Sequence, residues 1–463
     1  MNLYEAVEEL KKETKPMFAH VKKAVENASL TDYALIIREA GSGKTRIGTE
    51  IIRNNLSDSA YILWVCPAAL LEQTPSDLEG DGIPVEVFTS STTQFPKGKV
   101  IMASYDMVKT RVKQFTSVKW DTVICDEFHR TRNKGTIINE GTWYIRKKSK
   151  KFYALTATPF NNTEKDFFEL VSLVLGKNIV GKYQRSISVG KKSGLGFNLF
   201  AFFKKALFGK DTPNPTKAKI VLNKRSIEKV IKGYVDYMEP DEYMNFLSRP
   251  TPVSSVEEIE LSYEEVKQYE RIYKSKGMRN KEMAYRMLLL DENSSKIRKA
   301  KEEIASLVKN PENKVLVFSN FVSTGLGSLS KALKSSGISY RVYSGSSDKA
   351  EKEAIVQGFK DGDISVLLIS PSGFEGLNLK GTTHVIVLDP HYNPSKTTQL
   401  IARGLRAGSK TEKVIIKHYC AVSSSLRIPT VDEKIMKSSK EKKEKNKALE
   451  GLLKDVKRKE ELK

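Results

Sequence analysis

Residues 38–45, REAGSGKT, have the residue types and spacing that cradle a chain of phosphates. Gly41 and Gly43 let the backbone turn tightly and aim its amide hydrogens at an anion. A helix starting directly behind them adds a favourable dipole. Lys44 is placed to reach the β- and γ-phosphates of a nucleotide, and Thr45 to hold Mg²⁺. The expected nucleotide contacts are Gly41, Ser42, Gly43, Lys44, Thr45 and Arg46. The full phosphate-loop pattern begins with Gly, whereas position 38 is Arg.

Downstream, Asp126 and Glu127 end an apolar run, WDTVIC. A carboxylate there can hold Mg²⁺ while its neighbour orients an attacking water. An acidic pair capping the next helix is the structural alternative. The imidazole of His129 and the hydroxyls of Thr156 and Thr158 are suited to relaying the state of a γ-phosphate through hydrogen bonds. They could equally be satisfied polar residues at a domain edge. In QLIARGLR (399–406), spacings of four and three put Gln399, Arg403 and Arg406 on one helix face. Two arginines and a glutamine make no apolar stripe. They suit a γ-phosphate, as arginine fingers, or else a surface ion-pair helix.

These residues need elements to hold them. An apolar run at 33–37 reads as a short buried strand before the phosphate loop, and Ile47, Ile51 and Ile52 recur at helical spacing after it. Residues 61–73, 84–90, 99–108, 120–130 and 151–160 add strands or strand-to-helix transitions. Strands alternating with helices indicate an α/β fold with a parallel sheet covered on both faces. Lys44, Asp126 and Thr156 all fall at carboxyl ends of strands, where such sheets bind ligands. A second unit of the same rhythm follows, with strands at 314–321, 340–345, 364–370 and 383–389. Residues 1–30 read as helical, with Phe18, Val21, Ala24 and Val25 on one face. The expected organisation is an ATP-binding lobe over 1–180, a basic and helical insertion over 181–310, a second lobe over 311–436, and a charged helical tail over 437–463 that reads as solvated.

The formal charge of +22 implies a polyanionic partner, nucleic acid first. Residues 181–233 are rich in Lys and Arg, with phenylalanines clustered at 190–210. The lysines read as DNA contacts and the phenylalanines as packing. Cys66, Cys125 and Cys420 are far apart with no metal-ligand spacing, which argues against a zinc site and fits a reducing compartment. The start is charged without an apolar signal core, and the longest apolar run (61–71) is too short to span a bilayer. These features predict a soluble intracellular protein without a membrane partner.

The ordered motifs resemble superfamily two helicases, and within them the Swi/Snf-type double-stranded-DNA translocases. The stretches that carry the resemblance are REAGSGKT, WVCPAALLEQ, SYD (104–106), WDTVICDEFHRTRN, LTATPFNN, VLVFSNF, SPSGFEGLNL (370–379), DPHYNPSKTTQLIARGLRAGS (389–409) and TVDEKI (430–435). Two RecA-like lobes are implied, with ATP and Mg²⁺ as cofactors. Lys44 and Thr45 would bind phosphate and Mg²⁺, Asp126 the metal, and Glu127 would activate water. His129, Thr156 and Thr158 would couple hydrolysis to DNA, Gly376 would contact nucleotide or DNA, and Arg403 and Arg406 would be the fingers. The family's upstream adenine-reading glutamine has no match, and His20 is nearest in spacing. Phe128 stands where motif II has a small residue, and Ser409 stands in place of a Gln after motif VI. GYVDYMEP (233–240) and QLIARGLR resemble the nucleoside triphosphatases and early transcription factors of large DNA viruses, which implies RNA polymerase or other transcription machinery as a partner. The expected activity is ATP-driven translocation on duplex DNA by a monomer, in a virion, host cytoplasm, nucleus or bacterial cytoplasm. Strand-unwinding helicase and non-catalytic nucleic-acid scaffold are the rival expectations.

Overall fold

The central strands of both sheets are apolar at almost every position, as sheets buried on both faces require. A computed structural model describes residues 19–39, 41–159, 164–179, 233–238, 250–344, 349–370, 379–405 and 411–461. The chain forms two compact units, residues 1–246 with 446–463, and residues 247–445.

The first unit holds a seven-stranded sheet of order β3-β4-β2-β5-β6-β1-β7. Its strands are β1 (Tyr33–Ile37), β2 (Ile62–Cys66), β3 (Val85–Val87), β4 (Val100–Ser104), β5 (Trp120–Cys125), β6 (Ser149–Thr156) and β7 (Val235–Tyr237). All neighbouring pairs are parallel. Its helices are α1 (Ala19–Ser29), α2 (Lys44–Arg53), α3 (Thr74–Gly80), α4 (Tyr105–Thr110), α5 (Val112–Ser117), α6 (Ile137–Lys147) and α7 (Glu164–Leu175). Successive residues point to opposite faces, so Leu35 and Ile37 join one core with Val65, Val123 and Phe152, while Ala34 and Ile36 join another with Trp64, Ile124 and Leu155. Helix α2 lies close on the sheet at Gly48, where an added Cβ would sit 2.6 Å from the Trp64 ring. Val21, Ala24, Val25 and Ala28 form the buried stripe of α1.

The second unit has a six-stranded sheet of order β10-β11-β9-β12-β13-β8, again parallel throughout. The strands are β8 (Thr251–Glu260), β9 (Val315–Phe318), β10 (Arg341–Tyr343), β11 (Val366–Ile369), β12 (His384–Val387) and β13 (Lys413–Val422). The helices are α8 (Tyr263–Lys274), α9 (Lys281–Leu288), α10 (Ser295–Leu307), α11 (Gly327–Ser335), α12 (Lys349–Asp361), α13 (Pro394–Gly404) and, up to residue 445, α14 (Val431–Glu461), whose remainder belongs to the first unit. Leu316, Phe318 and Val385 bury on one face, and Val315, Val317 and Ile386 on the other.

Two expectations change. The second sheet takes in β8, inside the stretch expected as an insertion, and α10 from that stretch buries Ile297, Ala300 and Ile304 in the core. Strand β8 gives no alternating pattern because its side chains are mostly exposed, Ile259 excepted, and it is held to β13 by backbone pairing and by polar contacts of Ser254 and Glu257 with His418 and Lys417. The charged tail is helical and not wholly solvated, since Leu453 is buried in the first core. The clustered phenylalanines at 190–210 and the basic residues 181–232 lie outside the described residues, as does Phe18. Among the described residues no helix is long and apolar enough to cross a membrane.

Candidate nucleotide site

Strands β1, β6 and β5 are adjacent, with Ile37 opposite Thr156 and Ala154 opposite Cys125. The three loops that leave their carboxyl ends therefore emerge side by side. They carry Lys44, the Asp126–Glu127 pair, and Thr156 with Thr158.

The phosphate loop turns on two left-handed glycines, Gly41 and Gly43, both at φ 82°. Gly43 caps α2 without a side-chain bond, so the first helical amides have no side-chain cap at that position. Lys44 Nζ donates to the carbonyls of Glu39 (3.1 Å) and Arg38 (3.4 Å), folding the ammonium back over the loop. Ser42 is buried, and its hydroxyl donates to the Glu39 carbonyl at 2.7 Å. Thr45 lies half-buried in the first turn of α2. Arg46, expected as a nucleotide contact, is instead engaged by Asp81 (2.5 Å) and Glu50 (2.9 Å). From α1, His20 Nε2 lies 3.0 Å from the Ser42 carbonyl. A carbonyl only accepts, so Nε2 carries the proton. Burial, chiefly, pushes the His20 pKa below its ordinary value, which keeps the ring neutral.

Asp126 is 3% exposed. Its amide donates to the Val65 carbonyl (2.8 Å), its own carbonyl accepts from the buried Tyr105 hydroxyl (2.7 Å), and Oδ1 accepts from the Glu127 amide (2.8 Å). Glu127 is in the left-handed region, φ 48° and ψ 47°, alone among described residues other than glycine. That conformation costs on the order of 1–2 kcal/mol and persists only where neighbours impose it. The neighbour here is Phe128, fully buried and edge-on to Phe152 at 5.8 Å. The bulky residue that departs from the family pattern thus pins the turn that aims Glu127. His129 Nδ1 lies 3.3 Å from Glu127 Oε2 and 3.4 Å from Thr156 Oγ1, which also accepts from the Thr158 amide at 3.2 Å. Glu127, His129, Thr156 and Thr158 therefore form one polar chain.

In the second unit, Gln399 lies half-buried on α13, and the backbone of Arg403 is on the same helix. Arg406 and Gly376 lie outside the described residues. Sequence reasoning missed the device that leads into this helix. Asp389 accepts from Ser319 Oγ (2.6 Å), the Asn320 amide (3.0 Å), Asn320 Nδ2 (2.7 Å) and Arg286 Nη2 (3.2 Å). Arg286 also donates to the Pro390 carbonyl (2.9 Å) and stacks on Phe321. The legible signal was Ser-Asn directly after an apolar strand, matched to an Asp after another.

An SNF2-related domain profile matches residues 41–185, and a helicase conserved C-terminal domain profile matches residues 295–408. The chain carries both domains of an SNF2-type helicase. Its relatives include viral proteins. A putative ATP-dependent RNA helicase of Acanthamoeba polyphaga mimivirus is 25% identical over 417 residues, covering 84% of each chain. A probable global transactivator of Orgyia pseudotsugata multicapsid polyhedrosis virus is 22% identical over 88% of this chain and 84% of its own. The human DNA repair and recombination protein RAD54B is 26% identical over 67% of this chain and 39% of its own. The solved Sulfolobus solfataricus SWI2/SNF2 ATPase core in complex with double-stranded DNA aligns over 88% of each chain at 18% identity, with a TM-score of 0.42.

An SNF2-type helicase implies an ATP hydrolase that uses Mg²⁺, and the donor set fits both. The loop offers left-handed glycines, a helix start and one ammonium, which suit a triphosphate. Beside it stand a hydroxyl at Thr45 and a buried carboxylate at Asp126, both hard oxygen donors that suit Mg²⁺. The first profile match takes in Lys44, Asp126, Glu127, His129, Thr156 and Thr158, and the second takes in Asp389, Gln399, Arg403 and Arg406.

Proposed function

We propose that this SNF2-type helicase hydrolyses ATP to move along duplex DNA. The observation that carries the reading is the convergence of Lys44, Asp126–Glu127 and the His129–Thr156 link at the ends of three adjacent strands. Lys44 would leave the Arg38 and Glu39 carbonyls for the β- and γ-phosphates. Thr45 and Asp126 would hold Mg²⁺, which supplies positive charge against the phosphate oxygens. Glu127 would accept the proton of the attacking water as the bond from γ-phosphorus to the bridging oxygen breaks, releasing ADP and phosphate. His129, Thr156 and Thr158 would report that event through their hydrogen bonds. We assign stabilisation of the γ-phosphate charge to Gln399, Arg403 and Arg406.

Duplex DNA as the track is supported by the charge of +22 and by relatives named a DNA repair and recombination protein and a chromatin remodeling factor. The name of the baculovirus relative favours a setting in transcription. That of the mimivirus relative favours RNA as a second reading. ATP turnover measured in parallel with no nucleic acid, duplex DNA, single-stranded DNA and RNA decides between them. Duplex DNA should stimulate most, and the protein should displace the third strand of a triplex without opening a forked duplex. Stimulation by RNA alone would select the second reading. Unchanged turnover in Lys44→Ala would remove the enzymatic reading altogether.

A further inference from the structure

Arg38 stands where the phosphate-loop pattern has Gly, and both terminal nitrogens of its guanidinium are engaged, mainly with Asp236 of β7. Nη2 pairs with Asp236 Oδ2, while Nη1 donates to the carbonyls of Asp236 (3.0 Å) and Ile37 (2.9 Å). The other carboxylate oxygen, Oδ1, accepts from Asn27 Nδ2 on α1 at 3.2 Å. The same helix carries His20, whose ring braces the Ser42 carbonyl. The circuit closes through the Arg38 carbonyl, which accepts from Lys44 Nζ. The loop is therefore ringed by α1, Asp236 and Arg38, and the ion pair is buried, with side-chain exposures of 4% and 13%. Neither Arg38 nor Asp236 falls within the matched residues 41–185.

Strand β7 needs this anchor. It is three residues long and, among the described residues, lies at the sheet edge and pairs with β1 alone. Such a short, one-sided strand has few ladder bonds to hold it and belongs to the low-stability end of a fold.

We propose that Arg38 and Asp236 are positioning residues that link the docking of β7 to nucleotide binding at the phosphate loop. The proposal rests on the nucleotide-binding reading above. A docked β7 fixes Arg38, and with it the carbonyl against which Lys44 is held, so the loop is preset for a triphosphate. Linkage is reciprocal: a nucleotide must favour docked β7 by the factor by which docked β7 favours the nucleotide.

The test uses the full chain, a fluorescent ATP analogue with Mg²⁺, and amide exchange of residues 235–237. In the wild type, saturating analogue should slow exchange in β7. Asp236→Asn should weaken analogue binding by about tenfold, within the usual range of coupling between sites. Its KM should rise by more than its kcat falls. Because that variant leaves a buried guanidinium without its carboxylate, Arg38→Met with Asp236→Asn is the second variant, in which no buried charge is orphaned. The double variant should keep the wild-type melt, bind weakly, and lose nucleotide-dependent protection of β7. Wild-type affinity in the double variant would overturn the proposal, as would β7 exchange indifferent to bound nucleotide. A wild type that binds no analogue would overturn the phosphate-loop reading itself.

Discussion

Asp389 offers the sharpest test of how the second unit is held. Its carboxylate is 1% exposed and accepts from Ser319, from Asn320 twice, and from Arg286. Burial pushes its pKa up, while the Ser319 and Asn320 hydrogen bonds and the Lys296 and Arg286 charges act against that. Asp389→Asn keeps the shape and replaces one acceptor oxygen with a donor. In either amide orientation, two of the four donors then face an NH₂ group. Hydrogen bonds to a charged group contribute about 1.5–3 kcal/mol each, so losing two should cost roughly 3–6 kcal/mol. For a unit of this size that lowers the melting midpoint by on the order of 10 °C. Ser319→Ala removes two bonds, the one its hydroxyl donates to Asp389 and the one it accepts from the Phe321 amide (3.1 Å), and should cost about 2–4 kcal/mol. The assay must separate the units, and the sequence permits it. Trp64, Trp120 and Trp143 all belong to the first unit, so tryptophan fluorescence follows that unit while amide exchange in β9 and β12 follows the second. The exchange protection should fall and the tryptophan transition should hold. Protection in Asp389→Asn within about 1 kcal/mol of wild type would refute the hydrogen-bond accounting. Because Asp389 and Pro390 fix the start of the segment entering α13, turnover should also fall, by roughly 10²-fold if the helix shifts by about 1 Å.

Glu127→Gln preserves the turn that Phe128 pins, so nucleotide binding should survive while turnover drops by about 10²–10⁴; an equal loss of affinity would assign Glu127 to binding. Lys296 and Asp432 pair at 2.6 Å with exposures of 1% and 2%, and Asp432 also accepts from the Ala421 amide. Lys296→Met should therefore destabilise by about 3–5 kcal/mol, and adding Asp432→Asn, which removes the charge and keeps an acceptor for the Ala421 amide, should recover part of it; a double variant less stable than the single one would show that the orphaned charge costs nothing. His20, His384 and His418 all have pKa values lowered, mainly by burial, so they bind protons less readily folded than unfolded. Their contribution is intact above the unfolded value of 6.5 and is lost as pH falls from there towards the depressed folded values. Denaturant midpoints at pH 7.5 and 5.5 should differ in that direction, and equal midpoints would count against it.

The sequence exposed what repeats locally and concealed what is made at a distance. Strands β1, β2, β5, β6, β9, β11 and β12 are apolar because both of their faces are covered, and each was legible from its own residues. The phosphate loop and the Asp126–Glu127 pair were legible for a related reason: their chemistry needs a fixed spacing beside a strand end. Strand β13 was missed despite its β-branched and aromatic run, because Lys413, Lys417 and His418 interrupt it. Strand β8 gave no signal, since it is exposed and takes its order from β13.

The departure at position 38 shows the limit most clearly. As a sequence feature, Arg in place of Gly weakens a phosphate-loop pattern, and nothing within the loop explains it. Its partner lies 198 residues away, in a strand too short to read by itself. The two puzzles have one solution: Arg38 has a reason to exist only if β7 docks, and β7 has a firm edge only if Arg38 is there. A loop with Gly at that position would rely on its own turn geometry to stay shaped for phosphate. This chain instead ties that shape to residues downstream of its basic stretch, so the loop and the distant strand form one unit on which selection and regulation can act together.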